Sequence, residues 1–408
     1  MKRTLITNIG MLATPQGTAA RGGRAQGEIC ILKNAWILIE NDLIAQVGTS
    51  AAPAAADAQT INAGGKLVTP GLVDAHTHLI FGGWRQNELA LKLHGAGYLD
   101  ILAAGGGILS TMRATKAASE EQLEAKASAA LDEMLRFGTT TAEAKSGYGL
   151  STGEECKALR VIGNLQKHHV MDLAATFMGA HAVPEAYRDN RQGYLELLCE
   201  EMLPAVREQG IAEFCDVFCE KGVFSAEESR RILLTGRQHG LRPKIHADEI
   251  EAIGGSELAG EIGAVSAEHL IVCPPSGIAS MAEGGTVACC LPATSFYLGA
   301  AYAPVQDMVQ AGVPVAMATD FNPGSCPCLN MQLVISLGCL RYRLTPEQAL
   351  TAVTLNGAAA ICRADRIGSI EPGKQADILI WNAEDLDYIC YRLGSNLVDT
   401  VIKKGNVV

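Results

Sequence analysis

A chain of 408 residues, 48% hydrophobic and 19% charged, is long enough for one large α/β barrel with extra elements or for two to three ordinary domains. No stretch approaches the ~20 uninterrupted apolar residues of a membrane span. The start, Met1-Lys2-Arg3-Thr4-Leu5-Ile6-Thr7-Asn8, lacks the apolar core of a secretion signal, so no membrane association and a cytoplasmic location are expected. A formal net charge of -11 without long Lys/Arg runs argues against nucleic acid as a partner.

In chain order, residues 1–65 carry short strand-like runs, among them Glu28-Ile29-Cys30-Ile31-Leu32 and Ala35-Trp36-Ile37-Leu38-Ile39. Gly/Ala/Pro-rich connections separate them, and the tract 17–27 reads as a loop. From residue 66 one pattern repeats. Eight apolar, β-rich runs lie at 68–78, 139–145, 172–181, 213–220, 242–249, 264–270, 286–294 and 313–321. Amphipathic periodicity between them predicts helices at 119–137, 154–168, 194–209 and 225–239. Ser225 with Glu228 is the capping-box pattern that opens the last of these. Strands alternating with helices imply right-handed βαβ units and a parallel sheet, and eight of them make a (β/α)8 barrel over residues 66–366. The tail, 367–408, returns to strand-like runs such as Ala376-Asp377-Ile378-Leu379-Ile380-Trp381. Neither flank has core enough to stand alone, so 1–65 and 367–408 are expected to meet in one small β-sandwich formed by both chain termini.

Thirteen cysteines form no disulfide framework: their number is odd, and Cys289 and Cys290 sit inside an apolar run, as buried free thiols do in a reducing compartment. Cys326-Pro327-Cys328, without a second pair, reads as structural.

The chemistry gathers at predicted strand ends, the face where such barrels place catalytic residues. The first run ends in His76-Thr77-His78, and residues i and i+2 of a strand share a face. An isolated His-x-His is equally well a pair on a solvated edge. Further along, however, predicted strands end in His181, in His246-Ala247-Asp248-Glu249, in Glu268-His269 and in Asp320, so five of the nine histidines fall at such ends. His76, His78, His246 and Asp320 offer three imidazoles and a carboxylate to one ion, a set that suits Zn2+ or Fe2+ and leaves room for water. Glu249 is placed to move a proton to a leaving nitrogen, and His269 and His181 to steady a carbonyl oxygen as it becomes an oxyanion.

These residues resemble the metal-dependent amidohydrolase superfamily along essentially the whole chain. Phe81-Gly82-Gly83-Trp84-Arg85, Glu143-Ala144-Lys145-Ser146-Gly147-Tyr148-Gly149, Phe177-Met178-Gly179-Ala180-His181, Phe214-Cys215-Asp216-Val217-Phe218-Cys219-Glu220 and Ala318-Thr319-Asp320-Phe321-Asn322-Pro323-Gly324 are similar to one branch of it. Those members open the ring of 4-imidazolone-5-propanoate to N-formimidoyl-L-glutamate in histidine degradation. The resemblance implies a metal-bound hydroxide as nucleophile, with His76, His78, His246 and Asp320 as ligands and Glu249 and His269 as the acid–base pair. It implies substrate contacts from Arg85, Tyr98, Tyr148, His181 and Glu249 and from Asn322, Gly324 and Ser325 in the last loop, and a homodimer. A guanidinium at Arg85 gives a small anionic substrate a bidentate partner in an acidic protein. Lys145 follows the second strand, not the fourth, so it is read as structural or substrate-adjacent and one metal is expected. His94, His168, His169 and His239 are assigned no role. A purine or cyclic-amidine deaminase would share the same ligands, and a non-catalytic scaffold of this fold is the remoter alternative.

Overall fold

The computed structural model describes residues 2–53, 57–94 and 106–408. Five strands come first: β1 (Arg3–Thr14), β2 (Cys30–Glu40), β3 (Leu43–Gly48), β4 (Gln59–Asn62) and β5 (Leu67–Pro70). The barrel strands follow as β6 (Leu72–Asp74), β7 (Thr139–Lys145), β8 (Asp172–Ala180), β9 (Phe214–Cys219), β10 (Arg242–Ala247), β11 (Ser266–His269), β12 (Val287–Cys290) and β13 (Val315–Met317). The chain closes with β14 (Ile378–Trp381), β15 (Val398–Lys403) and β16 (Asn406–Val407).

Strands β6 to β13 pair in sequence order, every neighbour parallel. The last strand returns to the first: Asp320 N–H donates to His76 O at 3.0 Å and His78 N–H to Phe321 O at 2.9 Å. The seam of the barrel is therefore also where two predicted ligands meet a third. Capping boxes start the helices Glu120–Arg136 (Ser119 with Gln122) and Ala226–Gln238 (Ser225 with Glu228), the second as expected. The predicted helix 194–209 is interrupted by a π-turn at Leu197–Met202, just before Pro204, which has no N–H for the helical ladder.

The single strand expected at 68–78 is two strands in two sheets. β5 pairs with β1 and β14, and the chain crosses at Gly71 into β6 of the barrel. A Cβ at Gly71 would lie 2.3 Å from Thr140 Oγ1, so only glycine passes there. Residues 67–70 thus pair within the terminal sheet, although the expected boundary lay before them. An unbroken apolar run cannot reveal this, because periodicity does not name the partner strand. Two other strands are shorter than expected: the run 286–294 stops at Cys290, where Pro292 opens the helix Pro292–Leu298, and the run 313–321 pairs only over Val315–Met317. The tract 17–27 is more than a loop. It holds a 3-10 turn, Gly23–Gly27, whose buried Gln26 accepts from Val315 N–H at 3.0 Å and so ties the N-terminal flank to β13.

Both termini do come together, but as one hydrogen-bonded sheet of eight strands rather than two separate sheets. Its order is β16-β15-β14-β5-β1-β2-β3 with β4 on β1, and the antiparallel β5–β14 pair joins the N- and C-terminal flanks. Ile6, Ile9, Ile37, Ile39, Ile378, Ile380 and Ile402 form its aliphatic core. The cysteines are free thiols, and no helix among the described residues is long and apolar enough to cross a membrane.

Candidate active site

At the C-terminal mouth of the barrel His76, His78, His246, His269 and Asp320 converge, all buried. Their donor atoms form two groups, His76–His246–His269 and His76–His78–Asp320, in each of which every atom lies within 4.8 Å of the others. Asp320 Oδ1 stands 3.5 Å from His76 Nε2 and 3.6 Å from His78 Nε2, while its Oδ2 accepts from Thr294 Oγ1 at 2.7 Å. His78 Nε2 is 3.3 Å from His246 Nε2. The backbone is bent to achieve this: Asp320 and His269 take left-handed φ values of 57° and 67°, the kind of strain that clusters at functional sites.

The imidazoles are in the form a cation needs. Burial, then neighbouring positive groups, holds His76 and His78 well below the ordinary histidine pKa. His76 Nδ1 donates to Glu268 Oε2 at 2.9 Å and His246 Nδ1 to Asp216 Oδ1 at 3.0 Å. His76 therefore turns an unprotonated Nε2 to the centre, and the Nδ1 contact of His246 aims its Nε2 the same way. His76 Nε2 has no hydrogen-bond partner among the described residues despite full burial. An orphaned acceptor among converging nitrogens and one carboxylate fits a divalent cation.

Beside this centre lie Glu249 and His269. Glu249 Oε2 is 3.7 Å from His269 Nε2, and burial pushes the Glu249 carboxyl up to about 7. Burial lowers His269 to about 4, so it is a neutral imidazole, and its own nitrogens also lie within reach of the cation centre. His181 stacks on His78 with ring centroids 4.9 Å apart and donates from Nδ1 to Gly147 O at 3.0 Å. A carbonyl can only accept, so the proton is on Nδ1; with burial lowering this ring to about 3, Nε2 is an acceptor. The oxyanion role expected for His181 does not fit that tautomer.

Tyr148 packs against His78 and His181, its phenol pushed above the ordinary range by burial. Arg85 arrives on a loop held by Lys126, whose Nζ lies 3.6 Å over the Phe81 ring and 4.3 Å over Trp84. The bidentate edge expected to meet substrate is already engaged: Arg85 Nε and Nη2 each donate at 3.0 Å to the buried Glu88, leaving Nη1 to face the last loop. A Cβ on Gly324 would come within 2.1 Å of that Nη1, so glycine there is a requirement of Arg85. Asn322 and Ser325 serve each other first. Asn322 Oδ1 accepts from Gly324 N–H at 2.8 Å and Ser325 N–H at 2.7 Å, and its Nδ2 donates to Ser325 Oγ at 2.9 Å. Tyr98 lies outside the described residues.

Lys145 is fully buried and ion-paired with Glu143 and Asp216, so it is structural and not substrate-adjacent. His94, His168 and His169 sit in helical or adjoining stretches: His94 bonds Ala90 O, and His169 lies 3.3 Å from Asp132. Sequence reasoning left Asp216, Glu268 and Glu88 without roles. The first two carried a signal, since an ionisable residue inside an apolar parallel strand is rarely buried without a partner.

Comparison with known proteins agrees with this geometry. The amidohydrolase family matches residues 67–408. Imidazolonepropionase of Alkaliphilus metalliredigens (strain QYMF) is 50% identical over 100% of this chain and 98% of its own length. That of Bacillus cereus (strain G9842) is 48% identical over 100% and 97%. Among solved structures, an adenosine deaminase from Xanthomonas campestris with bound zinc has a TM-score of 0.72 at 21% identity, covering 99% of this chain and 92% of its own. Atrazine chlorohydrolase from Arthrobacter aurescens TC1, complexed with zinc, has a TM-score of 0.72 at 18% identity over 99% and 94%. At such identities these two speak for the fold alone. The full-length matches at half identity carry further: the chain belongs to the amidohydrolase family, in its imidazolonepropionase branch.

Proposed function

We propose that this protein hydrolyses the cyclic amide C–N bond of 4-imidazolone-5-propanoate to give N-formimidoyl-L-glutamate, in histidine degradation. The observation that carries the reading is the full-length identity to imidazolonepropionases together with five buried donors at the barrel mouth. His76, His78, His246 and Asp320 would hold one divalent cation, Zn2+ or Fe2+, with their neutral nitrogens and one carboxylate oxygen. When bound, such a cation lowers the pKa of water toward neutrality and polarises a carbonyl oxygen.

The chain's own groups supply the rest. Glu249, with a carboxyl near neutral pKa, takes a proton from the attacking water and returns it to the departing ring nitrogen. His269 donates to the carbonyl oxygen as negative charge grows there. His181 accepts a hydrogen bond at Nε2, which suits a ring N–H. Arg85 offers Nη1 to the propanoate, and its link to Glu88 keeps the guanidinium from swinging away. Tyr148 closes one wall of the pocket.

The test mixes purified protein with the imidazolone, follows ring absorbance, and measures metal per chain on the same sample. Ring loss with one cation per chain is expected. Ammonia release without ring opening, or no turnover in metal-loaded protein, would overturn the reading. Light scattering checks the homodimer that the family resemblance implies.

A further inference from the structure

Below the imidazoles the barrel lumen is filled with charge. Glu143, Lys145, Asp216, Lys244 and Glu268 are all 0% exposed. Lys145 Nζ lies 2.7 Å from Asp216 Oδ2 and 2.8 Å from Glu143 Oε2. Lys244 Nζ lies 3.3 Å from both Glu143 Oε1 and Glu268 Oε1, and donates to Ala360 O at 3.1 Å. Hydroxyls of Thr176 and Ser266 complete Glu143 and Glu268, each at 2.5 Å. The outer carboxylates turn their remaining oxygens to Nδ1 of His246 and His76. One unbroken path therefore runs His246–Asp216–Lys145–Glu143–Lys244–Glu268–His76.

Filling a barrel with ion pairs is a poor way to stabilise it, since apolar side chains of similar volume do as well or better. What ions provide and leucines cannot is aim. A carboxylate with one oxygen on an ammonium and the other on an imidazole can neither rotate nor shift. It fixes Nδ1 as the protonated nitrogen and Nε2 as the free one.

We propose that Lys145, Glu143 and Lys244 are positioning residues which, through Asp216 and Glu268, lock the tautomers of His246 and His76 and so govern how long the cation is retained. The inference rests on the cation assigned above, and its test separates the two. Zn2+ loss to a chelator is timed for wild type, Asp216→Asn, Glu268→Gln and Lys145→Met, and the visible spectra of the Co2+-loaded forms report donor geometry. The amide variants keep shape but can present an N–H to Nδ1. They should release Zn2+ about 10–100-fold faster, with altered Co2+ spectra. Lys145→Met discriminates by sign: loss of a nearby positive charge alone would slow release, whereas loss of the Asp216 anchor speeds it. Asp172→Asn, which removes a carboxylate held by Lys403 and Lys404 at the start of β8, should leave release unchanged. Wild-type release from folded Asp216→Asn and Glu268→Gln, or slower release from Lys145→Met, overturns the proposal. If Lys145→Met fails to fold, Glu143→Gln, which weakens the hold on both lysines, takes its place: faster release supports the proposal and wild-type release overturns it. Wild-type protein that takes up no Zn2+ overturns the cation assignment and this inference with it.

Discussion

The molecule has two interiors of opposite character. The terminal sheet buries isoleucines from β1, β2, β14 and β15 in one aliphatic cluster, and Lys403 of β15, also buried, is ion-paired with Asp377. The barrel lumen buries two lysines and three carboxylates at zero exposure, beneath four imidazoles and Asp320. Burial of an aliphatic side chain contributes about 1.5–3 kcal/mol, so the first interior is a source of stability. The second gives much of that up for desolvation, and what it yields is orientation. Stability and chemistry are thus assigned to different parts of one chain, and substitutions should divide the same way.

The largest effect is expected at Asp320→Ala, which removes a ligand and its carboxylate's contact with Thr294 while leaving the backbone seam to His76 in place. Turnover should fall by at least about 1,000-fold and metal content with it, read by activity and elemental analysis. Full activity in such a metal-free variant would break the division. Glu249→Gln should keep the metal yet lower kcat by about 100- to 10,000-fold. With its carboxyl at about 7 and the ionised form acting as base, wild-type kcat/KM should rise with pH through about 7, and the variant's profile should be flat there. In the other interior, Ile378→Ala should lower unfolding free energy by about 2–5 kcal/mol while leaving kcat and KM unchanged at ambient temperature. A change in kcat would show that the two interiors are coupled. Arg85→Ala should raise KM about 10- to 100-fold with a smaller change in kcat, since it binds the carboxylate away from the reacting bond.

The smallest effect sharpens the border between the regions. Asp172, on β8, is held by Lys403 and Lys404 of the terminal flank, and against burial these ammoniums lower its carboxyl to about 2. A depressed folded pKa means stabilisation that is full above the ordinary 3.8 and lost as pH falls through about 2. The sum is about 2 kcal/mol, and acid unfolding of Asp172→Asn should lack that component.

Much of this was legible one residue at a time. Polar residues closing apolar runs marked the barrel mouth, and His76, His78, His246, Asp320, Glu249 and His269 all meet there. The split at Gly71 was not legible, because two strands in tandem share one hydrophobic pattern whichever sheets they join. Nor was Glu88 as the partner of Arg85, since a carboxylate three residues from an arginine in a loop reads as solvated surface.

The sequence by itself determined the periodicities, the eight-fold alternation and the kinds of donor at strand ends, since these depend only on residue type and local spacing. Tertiary structure alone decided which proton each imidazole carries and what Arg85 has left to offer. It also decided that Lys145 and Lys244 lie between carboxylates on one unbroken buried path. The imidazole protons and the reach of the lysines are set mainly by pairs of residues tens to hundreds of positions apart, which only closure of the barrel brings within hydrogen-bond distance, whereas Arg85 is set by a near neighbour, Glu88, whose burial local spacing does not reveal.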